Sequence, residues 1–397
     1  MTISVLLLQI LVILVACRLV QALVARLGQP SVIGQIMAGL LLGPSFLGWL
    51  RPTWYAHLFP DSSLPTLAGL SQIGLILFMF LVGMRLDLSE VYGLRRVAGL
   101  AGLLSILSPF AAGLVLARSL RPYAPSGSGL AVFSLFIGVS MSITAFPVLA
   151  RILVEYGLEQ TQLGHIAISC AAMDDLAAWT LLAWISALAR HGEGETVLLS
   201  TAATVLCYVL IMLGVVRPAL RWLAGRYREV YELPVILPFL VLSSWVTELA
   251  GLHALFGAFL AGVVYPRDKR ALDRLSNTFE PISVNLLLPL FFSYTGIRTA
   301  VQLLGPGGLW RWTLVIIALA ICGKMGGAFL GARFMGLDSR DSFALGALLN
   351  TRGLVELVVL NVGLDLNILS PGLFSAMVLM ALSTTVMTSP LIRRILR

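Results

Sequence analysis

The chain has 397 residues, 58% of them hydrophobic and only 12% charged, with a mean hydropathy of +0.95. Soluble domains carry about 25% charged residues, so this composition lies outside the soluble classes and marks an integral membrane protein. The net charge of +8 and the isoelectric point near 9.7 do not point to nucleic acid, because the arginines sit in short loops between apolar runs and not on one basic face.

Apolar runs bounded by charge, proline and glycine predict thirteen membrane segments: 3–24, 30–50, 64–84, 97–117, 129–150, 163–188, 196–216, 233–248, 252–266, 281–297, 309–332, 342–364 and 371–392. The eighth and ninth are short, and only Glu248 to His253 separates them. Alternate loops starting from the C-terminal side hold 18 basic residues; the opposite loops hold 6, which are Arg51, Arg118, Arg121, Arg190, Arg298 and Arg311. This asymmetry predicts an odd number of spans, with the N-terminus outside and the C-terminus cytoplasmic. An odd helix joining two six-segment halves sets them in opposite orientation, the inverted-repeat plan of secondary transporters. The four cysteines all lie in apolar runs without CxxC spacing, so neither a disulfide nor a zinc site is expected.

Segment 129–150 contains Ser140-Met141-Ser142-Ile143-Thr144-Ala145-Phe146-Pro147. Pro147 lacks an N–H and frees a carbonyl one turn back, so the helix is expected to unwind there. A proline kink capped by hydroxyls is the simpler alternative for this segment alone. Segment 163–188 carries Asp174 and Asp175 near its midpoint, where an ionised carboxylate costs several kcal/mol unless it faces protein, water or a cation. One carboxylate could simply bond two helices together, but adjacent residues point about 100° apart on a helix and need separate partners. The pair is therefore read as a proton and cation site.

Lys324, one of two lysines, lies deep in segment 309–332. A buried ammonium needs a carboxylate partner, and one of the two aspartates is expected, Asp174 before Asp175; a purely structural bridge is the alternative. Gly323, Gly327 and Gly331 recur every fourth residue, a face suited to close helix packing. Gly323-Lys324 is not a phosphate loop. Segment 342–364 has Asn350-Thr351-Arg352-Gly353 at its middle, so two interrupted helices stand at corresponding places in the two halves. Arg352 and Glu356 have the spacing of an i,i+4 pair that would fix the interrupted helix. Thr384, Thr385 and Thr388, in segment 371–392, are expected to satisfy backbone groups of the broken helices. Glu248 and His253 are read as meeting interfacial water.

Six stretches in order then resemble the monovalent cation:proton antiporter-2 family: Gly34 to Ser45, Ser142 to Arg151, the Asp174-Asp175 stretch, Pro289-Leu290-Phe291-Phe292, Asn350 to Leu357, and Thr384 to Pro390. The resemblance covers essentially the whole chain. It implies an all-α membrane protein of about thirteen helices, with inverted repeats and two crossed discontinuous helices. By the same resemblance residues 1–95 and 231–300 form a dimerisation scaffold, 96–195 and 305–397 an ion-transport core, and 196–230 a connecting helix. Asp175 would be the main cation and proton ligand, and Asp174 its neighbour, paired with Lys324 until a cation enters. Thr144 and Asn350 would stand at the crossing, with Ser142, Pro147, Arg352, Glu356, Thr384 and Thr385 in support. The double carboxylate with a lysine resembles electrogenic sodium/proton antiporters, whereas Gly353-Leu354-Val355-Glu356-Leu357 resembles plant-type exchangers. The nucleotide-binding domain typical of the potassium-efflux branch is expected to be absent or on another polypeptide.

The expectation is a secondary antiporter, not an enzyme, exchanging Na+ or K+ for protons by alternating access in a bacterial-type inner membrane. No cofactor beyond the transported ions is expected; the expected partners are membrane lipid and a second copy of the chain in a homodimer. A channel or ion sensor on the same fold is the alternative. An intramembrane aspartyl protease is a remote one, since its carboxylates must converge from different helices.

Overall fold

The computed structural model describes residues 3–85, 95–191, 195–227, 233–266 and 269–396. Among these residues the secondary structure is helical throughout, with no strand. The helices are α1 (Ile3–Arg26), α2 (Ser31–Leu42), α3 (Pro52–Leu58), α4 (Leu64–Arg85), α5 (Arg95–Leu120), α6 (Leu130–Ser142), α7 (Phe146–Glu155), α8 (Gln162–His191) and α9 (Glu195–Ile211). They continue as α10 (Arg217–Arg226), α11 (Leu233–Leu249), α12 (Ala254–Val264), α13 (Lys269–Ile282), α14 (Leu288–Ile297), α15 (Leu309–Phe334), α16 (Ser339–Leu349), α17 (Leu354–Asp365) and α18 (Pro371–Leu396).

Each of the thirteen predicted runs falls on helix, but fewer are single rods long enough to cross a bilayer. Among the described residues, eight helical stretches have that length and apolarity, and α16 with α17 makes a ninth bent by 42° at its break. The shortfall has two causes. Segments 129–150 and 281–297 are divided, the first between α6 and α7, the second between the end of α13, a π-helical turn at Ser283–Leu287 and the 10-residue α14, and α11 and α12 are short apolar helices of 17 and 11 residues.

The chain divides into two compact units. One takes the described residues of Asp61–Asp87 and Trp179–Phe291; the other takes those of Thr2–Pro60, Leu88–Ala178 and Phe292–Arg397. Residues 2–60 thus cluster with the unit that contains the broken helices. In the first unit, Glu248 at the end of α11 accepts from Arg190 Nη2 (2.8 Å) and from the Ala254 N–H (2.8 Å) that opens α12. The turn between these helices is therefore tied to α8 by protein groups.

The second unit holds a core of Val148, Leu149 and Ile152 from α7, Ile166 and Ala167 from α8, Ala328 and Ala332 from α15, Leu345 and Leu348 from α16 and Ile392 from α18. The glycine face of α15 packs on α5. A Cβ at Gly323 would lie 2.9 Å from Pro109 Cα, and one at Gly331 would lie 2.6 Å from Ala101 Cα. Backbones this close leave room only for hydrogen at those positions. That approach sets Lys324, one residue along, within the unit's interior, where its side chain is fully buried.

Candidate functional site

The site forms where two helices stop. In a continuous helix the Pro147 ring would collide with the Ile143 carbonyl and leave it unbonded. The chain instead extends at Ile143 (φ −71°, ψ 136°) and Ala145 (φ −91°, ψ 94°) and restarts as α7 with Pro147 in its first turn. The surroundings of the Pro147 side chain lie outside the described residues. The second break runs from Asn350 to Gly353, between α16 and α17. A Cβ on Gly353 would stand 2.7 Å from Val148 Cγ2, so glycine lets the second break approach the first half of α7.

The two breaks are bonded to each other. Ala145 N–H donates to Thr351 O at 2.9 Å, and Thr144 Oγ1 donates to Leu349 O at 2.9 Å. Thr351 Oγ1 donates to Leu348 O (2.6 Å), and Thr388 Oγ1 to Ala347 O (3.3 Å). Neutral hydroxyls thus satisfy the last carbonyls of α16, which a helix end leaves without partners.

The end of α6 is satisfied differently. Arg352 donates through Nη1 to Ser140 O at 2.7 Å and through Nη2 to Met141 O, while Lys324 Nζ donates to Ser142 O. Ser142 Oγ closes the set by donating to Val139 O at 2.9 Å. Two full positive charges therefore stand at the negative end of the α6 dipole. Thr385 Oγ1 accepts from Arg352 N–H (3.0 Å) and lies within hydrogen-bond distance of Arg352 O (2.7 Å), which fixes the arginine's backbone. The Thr384 hydroxyl bonds within α18, to Met380 O and Ala381 O.

Lys324 Nζ is 2.6 Å from Asp174 Oδ2, and Arg352 Nη1 is 3.0 Å from Glu356 Oε2; all four side chains are buried. These pairs consume both cations. Asp175 is left over: it is fully buried and neither of its oxygens has a hydrogen-bond partner among the described residues. Among the described residues, both side-chain amide atoms of Asn350 and the Ser140 Oγ are also buried without partners. Leaving a carboxylate buried and unpaired costs several kcal/mol, which a proton or a cation would remove.

The structure thus joins Ser142, Thr144, Arg352, Glu356 and Thr385 to the two breaks and Lys324 to Asp174. Among the described residues it leaves the side chains of Asp175 and Asn350 without hydrogen-bond partners and turns the Thr384 hydroxyl back on its own helix. Sequence reasoning missed the guanidinium of Arg352 as the cap of α6, having read it mainly as the partner of Glu356. The available signal was an arginine inside a span, followed by glycine, opposite a helix that must end at a proline.

Two interrupted helices meeting at a buried and incompletely compensated set of charges are an arrangement found in secondary transporters. The family described as "Sodium/hydrogen exchanger, transmembrane" matches residues 10–397, and the chain belongs to that family. It is 40% identical over 403 residues to the Na+/H+ antiporter NhaS4 of Synechocystis sp., covering 99% of this chain and 98% of that protein. Cation/H+ antiporter 17 of Arabidopsis thaliana is 40% identical over 98% of this chain, and K+/H+ antiporter 1 of Saccharomyces cerevisiae is 34% identical over 96%. The chain spans about half the length of these two, 48% and 45%. The fold is similar to that of the sodium proton antiporter MjNhaP1 from Methanocaldococcus jannaschii, with a TM-score of 0.66 at 15% identity, covering 97% of this chain and 94% of that one.

Proposed function

We propose that this multi-pass membrane protein exchanges a monovalent cation, Na+ or K+, for protons, with Asp175 as the shared ligand. The observation that carries this reading is the unpaired Asp175 carboxylate beside an Asp174 already bound to Lys324. A proton and a metal cation cannot both be held by one carboxylate, so protonation on one side of the membrane expels the cation and deprotonation on the other readmits one. Asn350 and Ser140 supply further polar groups, and entry of a cation draws Asp174 away from Lys324. The names of the relatives, which include sodium and potassium antiporters, support the ion class and divide on the ion.

In this proposal residues 96–195 and 305–397 move as a core against a scaffold of 1–95 and 231–300, with 196–230 connecting them. The protein acts as a homodimer in a bacterial-type inner membrane, with its C-terminus in the cytoplasm. The test uses purified protein in liposomes with an imposed pH gradient, reading internal pH as Na+, K+ or Li+ is added. Wild type should give a cation-dependent pH change that Asp175→Asn abolishes; an unchanged response in Asp175→Asn would overturn the site.

A further inference from the structure

A cavity of about 280 Å³ is lined by Leu27, Ser389, Pro390, Arg393 and Arg394. All of these residues belong to the second compact unit. Arg393 and Arg394 stand exposed in the last turn of α18, and among the described residues neither is paired with a carboxylate. Arg393 is held in place: its Nε donates to Tyr156 Oη at 2.8 Å, and its guanidinium carbon lies 6.0 Å from the centre of the Tyr156 ring. Tyr156 in turn donates to Ser389 O at 3.3 Å. Room for the guanidinium comes from Gly28, which has φ +66° and where a Cβ would lie 2.7 Å from Arg393 Cζ. The cationic wall is thus built by the fold.

The remaining wall is apolar and continues along α1. Leu11, Val15, Leu19, Leu23 and Leu27 recur every fourth residue, and all are large exposed hydrophobic side chains. Four such steps cover about 24 Å of helix, ample for an acyl chain in one half of a hydrocarbon core roughly 30 Å thick. A positive cavity at the end of an exposed leucine stripe fits one class of molecule, an anion with a long apolar tail.

We propose that this cavity binds the headgroup of an anionic phospholipid, its phosphate between Arg393 and Arg394 and an acyl chain along the α1 stripe. A free phosphate ion would satisfy the arginines equally but would make no use of the stripe. Tyr156 closes the C-terminal end of α7, so a headgroup held by Arg393 also touches the residue that ends one half of a broken helix.

The test measures lipid retained by the purified full chain, by native mass spectrometry, after exposure to phosphatidylglycerol and phosphatidylcholine in neutral detergent. It does not require transport activity, so its failure is distinct from failure of the antiport reading. Wild type should retain phosphatidylglycerol selectively. Arg394→Gln should retain it about fivefold less strongly, the contribution of one basic residue near a membrane surface, with an unchanged melting temperature. Gly28→Val keeps both charges but displaces the Arg393 guanidinium, and it should also weaken retention. Equal retention in Arg394→Gln and wild type, unaffected retention in Gly28→Val, or displacement of the lipid by inorganic phosphate alone would each overturn the proposal. So would retention that follows dissociation of a dimer and ignores the arginine substitutions, because a second copy would then be the occupant of the stripe.

Discussion

Lys324 Nζ lies 2.6 Å from Asp174 Oδ2, joining α15 to α8 with both side chains buried. The geometry means that neither charge can be removed alone without stranding the other in a water-poor interior. Such a loss costs about 3–5 kcal/mol. Lys324→Gln and Asp174→Asn should each lower the melting temperature in detergent, and the double variant should lose less than the sum of the two. A double variant whose loss equals that sum would show that the two groups are not coupled.

The proposed competition at Asp175 fixes the sign of a pH dependence. A protonated carboxylate cannot bind the cation, so lowering the pH must raise the apparent KM for the cation. Where the protonated form dominates, one competing proton raises it about tenfold per pH unit while leaving the maximal rate unchanged. Transport rates measured over a matrix of pH and cation concentration check this. An apparent KM that does not change with pH would separate the proton from the cation site.

The parts of this arrangement that follow from local rules are visible in the sequence. Pro147 inside a span forces a break because its ring and missing N–H exclude a continuous helix, and the Gly323, Gly327 and Gly331 repeat marks the close face of α15. That Lys324 pairs with one of the two aspartates is legible, because a buried ammonium needs an anion, but the choice of Asp174 over Asp175 rests on the family resemblance and not on a local rule. What local rules do not show is which carbonyls a buried cation will cap. Arg352 has Glu356 at a favourable spacing in its own helix, and that i,i+4 relation hides the longer-range bonds to Ser140 O and Met141 O. The number of full-length crossings is also hard to read, since hydropathy does not reveal that an apolar run is a short helix or is divided by a break.

Those carbonyl bonds make Arg352 hard to replace. Its guanidinium serves Ser140 O, Met141 O and Glu356 Oε2 at once from a planar fork, and a lysine offers a single point charge on a shorter reach. Arg352→Lys should therefore lose at least one charge-assisted bond, about 1.5–3 kcal/mol, together with transport. Thermal melts and liposome flux measured on the same preparations check this. A lysine variant as stable and active as wild type would show that the α6 end does not depend on the fork.

The contact between α2 and the end of α14 rests on two glycines. A Cβ at Gly39 would overlap Ser293 O and lie 2.7 Å from Ser293 Cα, and one at Gly296 would lie 2.6 Å from Gly39 C and Leu40 N. All of these are backbone atoms, so no rotamer change relieves the overlap and the helices themselves must separate. Gly39→Ala should cost about 1–3 kcal/mol, the usual range for overpacking. Gly69 in α4 provides the opposite case, because a Cβ there meets nothing within 4 Å. Gly69→Ala should gain about 0.5–1 kcal/mol from reduced backbone freedom in the unfolded chain. Paired melts of the two variants test the sign of both effects against the same reference. If Gly39→Ala proves as stable as Gly69→Ala, the α2 and α14 backbones are free to part, and the close approach contributes little to holding residues 2–60 in their unit.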